Sequence, residues 1–372
     1  MATHLLRRLL HDLSFVALLA LIGSVSVFAQ DAKPAPAMPP FPDDPLALVA
    51  EGNKAKAQGR YDDASAYYQR AVKLDPRSFE AHLGLGMTLD LKGQYADAEK
   101  ELNRALGYAP ENARQDRDSA LSALAVSYAF RGDIDGAQRY YEKLYDFQIA
   151  TARLDNAAST AQTIGRAYLD AGDTRTAAQW FQTGQDAVHK MSGLASDQLD
   201  LWQMRWEHAQ SRIAARSGNP EEAETHLANM KRLVDKGGLN AAQQPNYQYL
   251  VGYNAFYAGD YDAAIAALQH ADPRDPTIMT MIAEAYAKKG DPAAAKAYVD
   301  KVALLPLHTL QGALARSNVK KVEVEIAKLK AEQDKNPNAK PEPRDSEAID
   351  KAKDDAEKTP AEKPTVAKVK KP

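Results

Sequence analysis

Apolar and small residues recur along this chain at three- and four-residue spacing, and glycine cuts the recurrence at intervals. Leu48, Gly52 and Ala55 fall on one helical face. Gly59 interrupts it, Ala64, Tyr68 and Ala71 resume it, and Pro76 ends it. The next stretch repeats the order with His82, Leu85, Gly86 and Leu89, then Gly93, then Ala98, Leu102, Ala105 and Pro110, each 34 residues after its counterpart. Residues three and four apart share a helix face, so each stretch predicts two amphipathic helices joined by a glycine turn. No segment alternates as a half-buried strand does, and the expected fold class is all-α.

The turns centre on Gly59, Gly93, Gly132, Gly172, Gly218, Gly259 and Gly290, at separations of 34, 39, 40, 46, 41 and 31 residues. Asp133, Asp173, Asn219, Asp260 and Asp291 follow five of them. Glycine suits the left-handed end of one helix and Asp or Asn caps the next, with Pro220 and Pro292 at first helical positions. The small residues Gly52, Gly86, Ala125, Gly165, Gly252 and Ala283 let the two helices of a pair approach, and Tyr68, Tyr141 and Phe181 fill the space beside them. The fifth unit is the poorest match. Glu207, Gln210, Ser211 and Ala214 replace its large and small positions, and 197–216 reads as one long helix capped by Ser196.

This order of residues resembles the tetratricopeptide repeat family, whose pattern is W-x2-L-G-x2-Y, A-x3-F, P, with Leu48 and His82 in place of the tryptophan. The resemblance covers 45–309 and implies a right-handed α-solenoid of about seven helical hairpins, near 45–78, 79–112, 118–151, 158–191, 204–237, 245–275 and 276–309. A terminal helix over 310–333 is expected to cover its last face. That helix shows Val319, Val322, Ile326 and Leu329 on one side, with Ser317 as its cap.

The flanks read differently. Arg7 and Arg8 precede an apolar run from Phe15 to Phe28, and Val27-Phe28-Ala29 offers small-residue cleavage geometry, so 1–29 reads as a secretory signal. The alternative, an uncleaved anchor, has only about 24 Å of helix for a hydrocarbon core of about 30 Å. Residues 30–44 form a Pro/Ala-rich linker, and 334–372, rich in charge and without aromatics, an expected disordered tail. The chain is therefore expected to be exported, to the periplasm or cell envelope of a bacterium. A membrane contact follows only if the N-terminal segment is retained.

Composition narrows the function. Lys plus Arg is 47 against 50 for Asp plus Glu, which argues against a nucleic-acid partner. Zero cysteines exclude disulfides, thiolate metal sites and a cysteine nucleophile. No phosphate loop, H-E-x-x-H or G-x-S-x-G is present, Ser317-Asn-Val-Lys320 lacks the elements that accompany S-x-x-K in serine enzymes, and the histidines are scattered. No cofactor or metal is expected.

What remains is the inner surface, where the family resemblance implies a concave groove lined by the first helix of each hairpin and holding a peptide. Arg205, His208, Arg212 and Arg216 form a basic stripe, with Tyr249, Tyr253 and Phe256 as an aromatic stripe and Arg166 on the matching face of the fourth unit. Arginines suit carboxylates and rings suit apolar side chains. The competing reading of Tyr253 and Phe256 is packing between repeats. The two-carboxylate clamp of some family members is not supported, because only Asn53 matches it and Val49, Ser119 and Ala123 stand at its other positions. The expected function is a non-catalytic protein–protein interaction scaffold of the envelope that binds a partner peptide. The alternatives are a membrane-tethered assembly factor, and an enzyme with a site in the irregular 192–245 region around Glu207 and His208.

Overall fold

A computed structural model describes residues 43–110, 112–236 and 243–335. The expected signal segment, most of the linker and the tail beyond 335 lie outside the described residues, as do 111 and 237–242. Among the described residues there are fifteen helices and no strand.

Fourteen of the helices pair as seven consecutive hairpins: α1 (Pro45–Ala57) with α2 (Tyr61–Leu74), α3 (Phe79–Leu91) with α4 (Tyr95–Tyr108), α5 (Arg114–Phe130) with α6 (Ile134–Ala150), α7 (Leu154–Ala171) with α8 (Thr174–His189), α9 (Ser196–Arg216) with α10 (Pro220–Asp235), α11 (Gln244–Tyr257) with α12 (Tyr261–Leu268), and α13 (Pro276–Lys288) with α14 (Pro292–Ala303). Each hairpin packs on the next, which makes the molecule an α-solenoid, and α15 (Leu310–Lys335) follows the last pair.

The small-residue positions work by contact. A Cβ on Gly52 would stand 2.7 Å from the Tyr68 ring, and one on Gly86 would stand 2.6 Å from Leu102. An equivalent clash awaits at Gly252 against Leu268, and a tight contact of 3.1 Å at Gly165 against Phe181. Four of the seven hairpins therefore close around a residue without a side chain, and the large residue opposite is buried. All seven turn glycines adopt positive φ, between 73° and 97°.

Capping follows the expected chemistry at four of the five turns. Asp133, Asp173, Asp260 and Asp291 accept from the backbone N–H three residues on. Asn219 is a correction: its side chain faces Glu222 and caps no backbone group, Pro220 having already removed one of the free donors. Two other expected caps are also misplaced. Ser196 is the first residue of α9, and the Ala195 N–H ahead of it donates to the Gln198 side chain. Ser317 lies inside α15, and Thr309 caps that helix through the Gly312 N–H.

The terminal helix does more than cover an end. Its second half places Val319, Val322, Ile326 and Leu329 against Met279, Ala283, Val299 and Val302 of the last hairpin. Its first half turns onto the first helices of earlier hairpins. Leu310, Ala313 and Leu314 join the core made by Leu121, Ala125, Ile164 and Tyr168 of α5 and α7. The loop before it inserts His308, whose ring stacks on Phe130 at 5.4 Å and whose Nε2 lies 2.8 Å from Oδ2 of Asp90 on α3. Oδ1 of the same carboxylate accepts from the Ser127 hydroxyl at 2.9 Å. Part of the solenoid's inner side is thus already filled by the chain's own helix.

Candidate functional site: a cationic cleft on the inner helices

A cleft of about 390 Å³ remains open where α7, α9 and the start of α11 face one another. Four side chains of α7 reach it, Ser159, Gln162, Thr163 and Arg166, together with Arg205, His208 and Arg212 of α9. Positions 162, 163 and 166, like 205, 208 and 212, recur at three- and four-residue steps, so each helix presents one stripe to the cleft. Asn246 of α11 and Gln311 of α15 edge it, and Phe181 and Met204 give it an apolar wall. No Asp or Glu lines it.

The electrostatics are uneven. Arg166 has its charge answered from across the solenoid: it lies 3.4 Å from Asp275 and donates to the Thr277 hydroxyl at 3.0 Å, both at the start of α13, with Asp170 at 3.9 Å. Burial opposes its charge, but Asp275, Tyr249 and Asp170 outweigh that and hold its pKa above the ordinary value. Burial pushes the Asp170 carboxyl up against the opposing pull of Arg166, Arg212 and Arg216.

Arg212 is in a different position. It is 4% exposed, its Nε makes a long contact of 3.4 Å to the His208 carbonyl, and its Nη1 has no hydrogen-bond partner among the described residues. The rings of Phe181, Tyr249 and Tyr253 surround it at 5.8–6.0 Å. His208 Nε2 and the Tyr249 hydroxyl are likewise buried without a partner. Burial, then the nearby charges of Arg212 and Arg166, press the His208 pKa well below its usual value, so its ring is neutral at neutral pH. A guanidinium enclosed by rings gains some cation–π attraction, but an unpaired buried charge costs several kcal/mol.

Of the residues singled out from the sequence, four meet at the cleft: Arg166, Arg205, His208 and Arg212. Arg205 is half-buried and lies over the Trp202 ring at 4.6 Å. Tyr249 and Tyr253 stand behind Arg212, 4% and 1% exposed, in the core shared with Ile265, Ile278 and Ile282. Phe256 packs on Tyr257 and Tyr261 and does not line the cleft. Arg216 leaves the stripe to contact Tyr257 and the Asp170 carbonyl. Sequence reasoning missed Gln311, which arrives with a helix folded back from the far end, and Asp275, whose partner Arg166 is 109 residues away.

The competing catalytic arrangement would need Glu207 and His208 to converge. They point apart. Glu207 is held by His226 at 2.7 Å, Asn229 at 3.0 Å and Gln203 at 2.6 Å, inside the α9–α10 hairpin.

Profiles of the tetratricopeptide repeat match residues 49–116, 119–143 and 255–305. These three segments are tetratricopeptide repeats. The cationic stripe of α7 and α9 falls between the matched segments. The chain is 25% identical over 243 residues to cellulose synthase operon protein C of Xanthomonas axonopodis pv. citri (strain 306), an alignment covering 64% of this chain and 14% of that protein. It therefore spans a small fraction of the length of that curated relative. Among solved structures it is similar to a tetratricopeptide repeat protein from Parabacteroides merdae ATCC 43184, with 14% identity, 76% of this chain and 98% of that chain covered, and a TM-score of 0.47. It is also similar to PilF of Pseudomonas aeruginosa, with 15% identity, 60% and 89% covered, and a TM-score of 0.39.

Proposed function

We propose that this protein is a non-catalytic interaction scaffold of the bacterial cell envelope, holding a segment of a partner protein along the part of its inner face that α15 leaves open. The observation that carries the reading is the cleft between α7, α9 and α11. It is lined by cations and amides, edged by exposed Asn246, and continuous with the first helices of three hairpins. A pre-formed groove on rigid helices loses little ordering entropy when it binds. The signal-like residues 1–29 support export, and the resemblance to a protein named for a cellulose synthase operon is compatible with an envelope role. No helix among the described residues is long and apolar enough to cross a membrane, so a tethered form would rest on the N-terminal segment. The lack of Asp or Glu in the cleft lining and the separation of Glu207 from His208 weigh for binding over catalysis.

A photo-crosslinking side chain at Asn246, on the cleft, and another at Lys100, exposed on α4, form the test in native cells. Position 246 is expected to capture one discrete partner that position 100 does not. Equal capture at both positions, or none at 246, refutes the groove. Fractionation with N-terminal sequencing addresses export, where the mature chain is expected to begin at Gln30 and remain outside the cytoplasm. A retained Met1 in the membrane fraction would favour the tethered assembly factor.

A further inference from the structure

The polar atoms of the cleft define a narrower chemistry than "peptide". Three nitrogens are buried there without hydrogen-bond partners, Nη1 of Arg212, Nε2 of His208 and Nε of Arg166, the first two one helical turn apart on α9. The charge of Arg166 is balanced by Asp170 and Asp275, while no ion-pair partner lies within reach of Arg212 or Arg205 among the described residues. Beside these donors lies the apolar wall of Phe181 and Met204. The cleft's volume of about 390 Å³ suits a small ligand or one to two side chains.

We propose that this cleft is a carboxylate-binding subsite, in which Arg212 and His208 receive the two carboxylate oxygens, Arg205 supplies the outer positive charge, and Phe181 and Met204 hold the methylenes that carry the group. A monoanion with two acceptor atoms matches the open nitrogens of Arg212 and of His208, the latter in its Nε2–H tautomer, and the one enclosed guanidinium without an ion pair. A phosphate dianion brings more charge than the one unpaired, enclosed guanidinium calls for. Charge-assisted bonds from a planar guanidinium to a carboxylate are the strong kind, and they strengthen in a site shielded from water. Of the two sources of such a group, an acidic side chain on a partner protein rests on the scaffold reading above, and a free small carboxylic acid does not need it.

The test is calorimetric titration of the full chain at constant ionic strength with four probes: an acetylated and amidated Gly-Phe-Glu-Gly peptide, the same peptide with Gln for Glu, glutarate, and inorganic phosphate. The Glu peptide is expected to saturate one site and the Gln peptide to bind at least tenfold more weakly. Binding of glutarate as tight as the Glu peptide assigns the group to a free acid, and tighter binding of the peptide assigns it to a partner chain; either supports the subsite. R212M is expected to weaken carboxylate binding at least tenfold. R205Q, at a half-exposed position where folding is not at stake, is expected to weaken it about threefold. Saturation by neither carboxylate, tighter binding of phosphate than of both, or affinities unchanged in both variants overturns the proposal. If the subsite fails in this way while crosslinking at position 246 still captures a partner, the scaffold reading stands without it.

Discussion

Asp90 and Arg212 are both ionisable, both almost fully enclosed, and both on the first helix of a hairpin, yet only Asp90 has all of its polar atoms partnered. Its two oxygens are taken by His308 and Ser127, and the His308 ring is sandwiched onto Phe130. That cluster joins the second, third and last parts of the chain and fastens α15 to the inner face. The cluster around Arg212 holds comparable groups at comparable depth, but four of its polar atoms, on Arg212, His208, Tyr249 and Tyr253, have no hydrogen-bond partner. A buried polar network that is satisfied rigidifies a fold; one that is left open lowers stability and has to be explained by something other than folding. The contrast separates a fastening from a site within one solenoid.

The largest effect is expected from breaking the fastening. Asp90→Ala leaves the His308 ring and the Ser127 hydroxyl buried without an acceptor, and losing one member of such a buried pair costs about 3–5 kcal/mol. Urea unfolding should show that loss, and hydrogen exchange in 310–318 should accelerate with it. Asp90→Asn keeps an acceptor and should lose less. A loss below about 1 kcal/mol, the size of an ordinary neutral hydrogen bond, would show that α15 holds without this cluster.

Glu284 tests whether every unanswered charge on the inner side behaves like Arg212. It borders a small cavity with Asp170, Arg216 and Asn318. Burial raises its pKa to about 7, against the lowering pull of Arg216 and Lys321. A carboxyl raised on folding favours the folded state when protonated. Its contribution is therefore complete below about pH 4.5 and is lost as pH rises to about 7, where the decline ends. By linkage the decline amounts to about 3 kcal/mol. Glu284→Gln should flatten the stability profile between pH 5 and 7. An unchanged slope would mean that water reaches this carboxylate in the native state.

Tight packing on the fastened side gives a smaller effect. Gly86 sits one turn before Asp90 on α3, and an added Cβ would meet Leu102 at 2.6 Å and the Ala98 carbonyl at 3.1 Å. The backbone carbonyl cannot yield cheaply. Gly86→Ala should therefore lose about 1–2 kcal/mol from overpacking, even after the helix preference of alanine is credited. Gly107 on α4 has open space where its Cβ would be, so Gly107→Ala should gain up to about 1 kcal/mol in the same unfolding assay.

These residues also show what the sequence could reveal. Gly86, Leu102 and the Asp-capped turns were legible because repeat packing is local: each partner lies within one 34-residue period, and period alone places it. The carrying face of α15 was legible for the same reason at Val319, Val322 and Ile326. Its first half was not. Leu310 and His308 pack on α5 and α3, about two hundred residues earlier, and no periodicity encodes a return across the inside of a superhelix. The basic stripe of Arg205, His208 and Arg212 could be read from helical spacing. Whether those arginines would be answered could not, because Asp275, which neutralises Arg166, comes from three hairpins away.

The smallest change in stability should come from the residue with the most distinctive surroundings. Arg212→Met removes a charge that the fold encloses but does not pair, and places a flexible thioether among Phe181, Tyr249 and Tyr253. Replacing buried ionic groups by apolar ones of similar volume is often neutral or stabilising, and sulfur–aromatic contacts add about 0.3–1.5 kcal/mol. Asp170 keeps Arg166 and Arg216 nearby. The free protein should therefore unfold at an unchanged or slightly higher urea midpoint, while the stabilisation that the Glu peptide confers on the native chain disappears. If Arg212→Met instead loses as much as Asp90→Ala, then Arg212 is a second fastening, and the distinction between the two clusters dissolves.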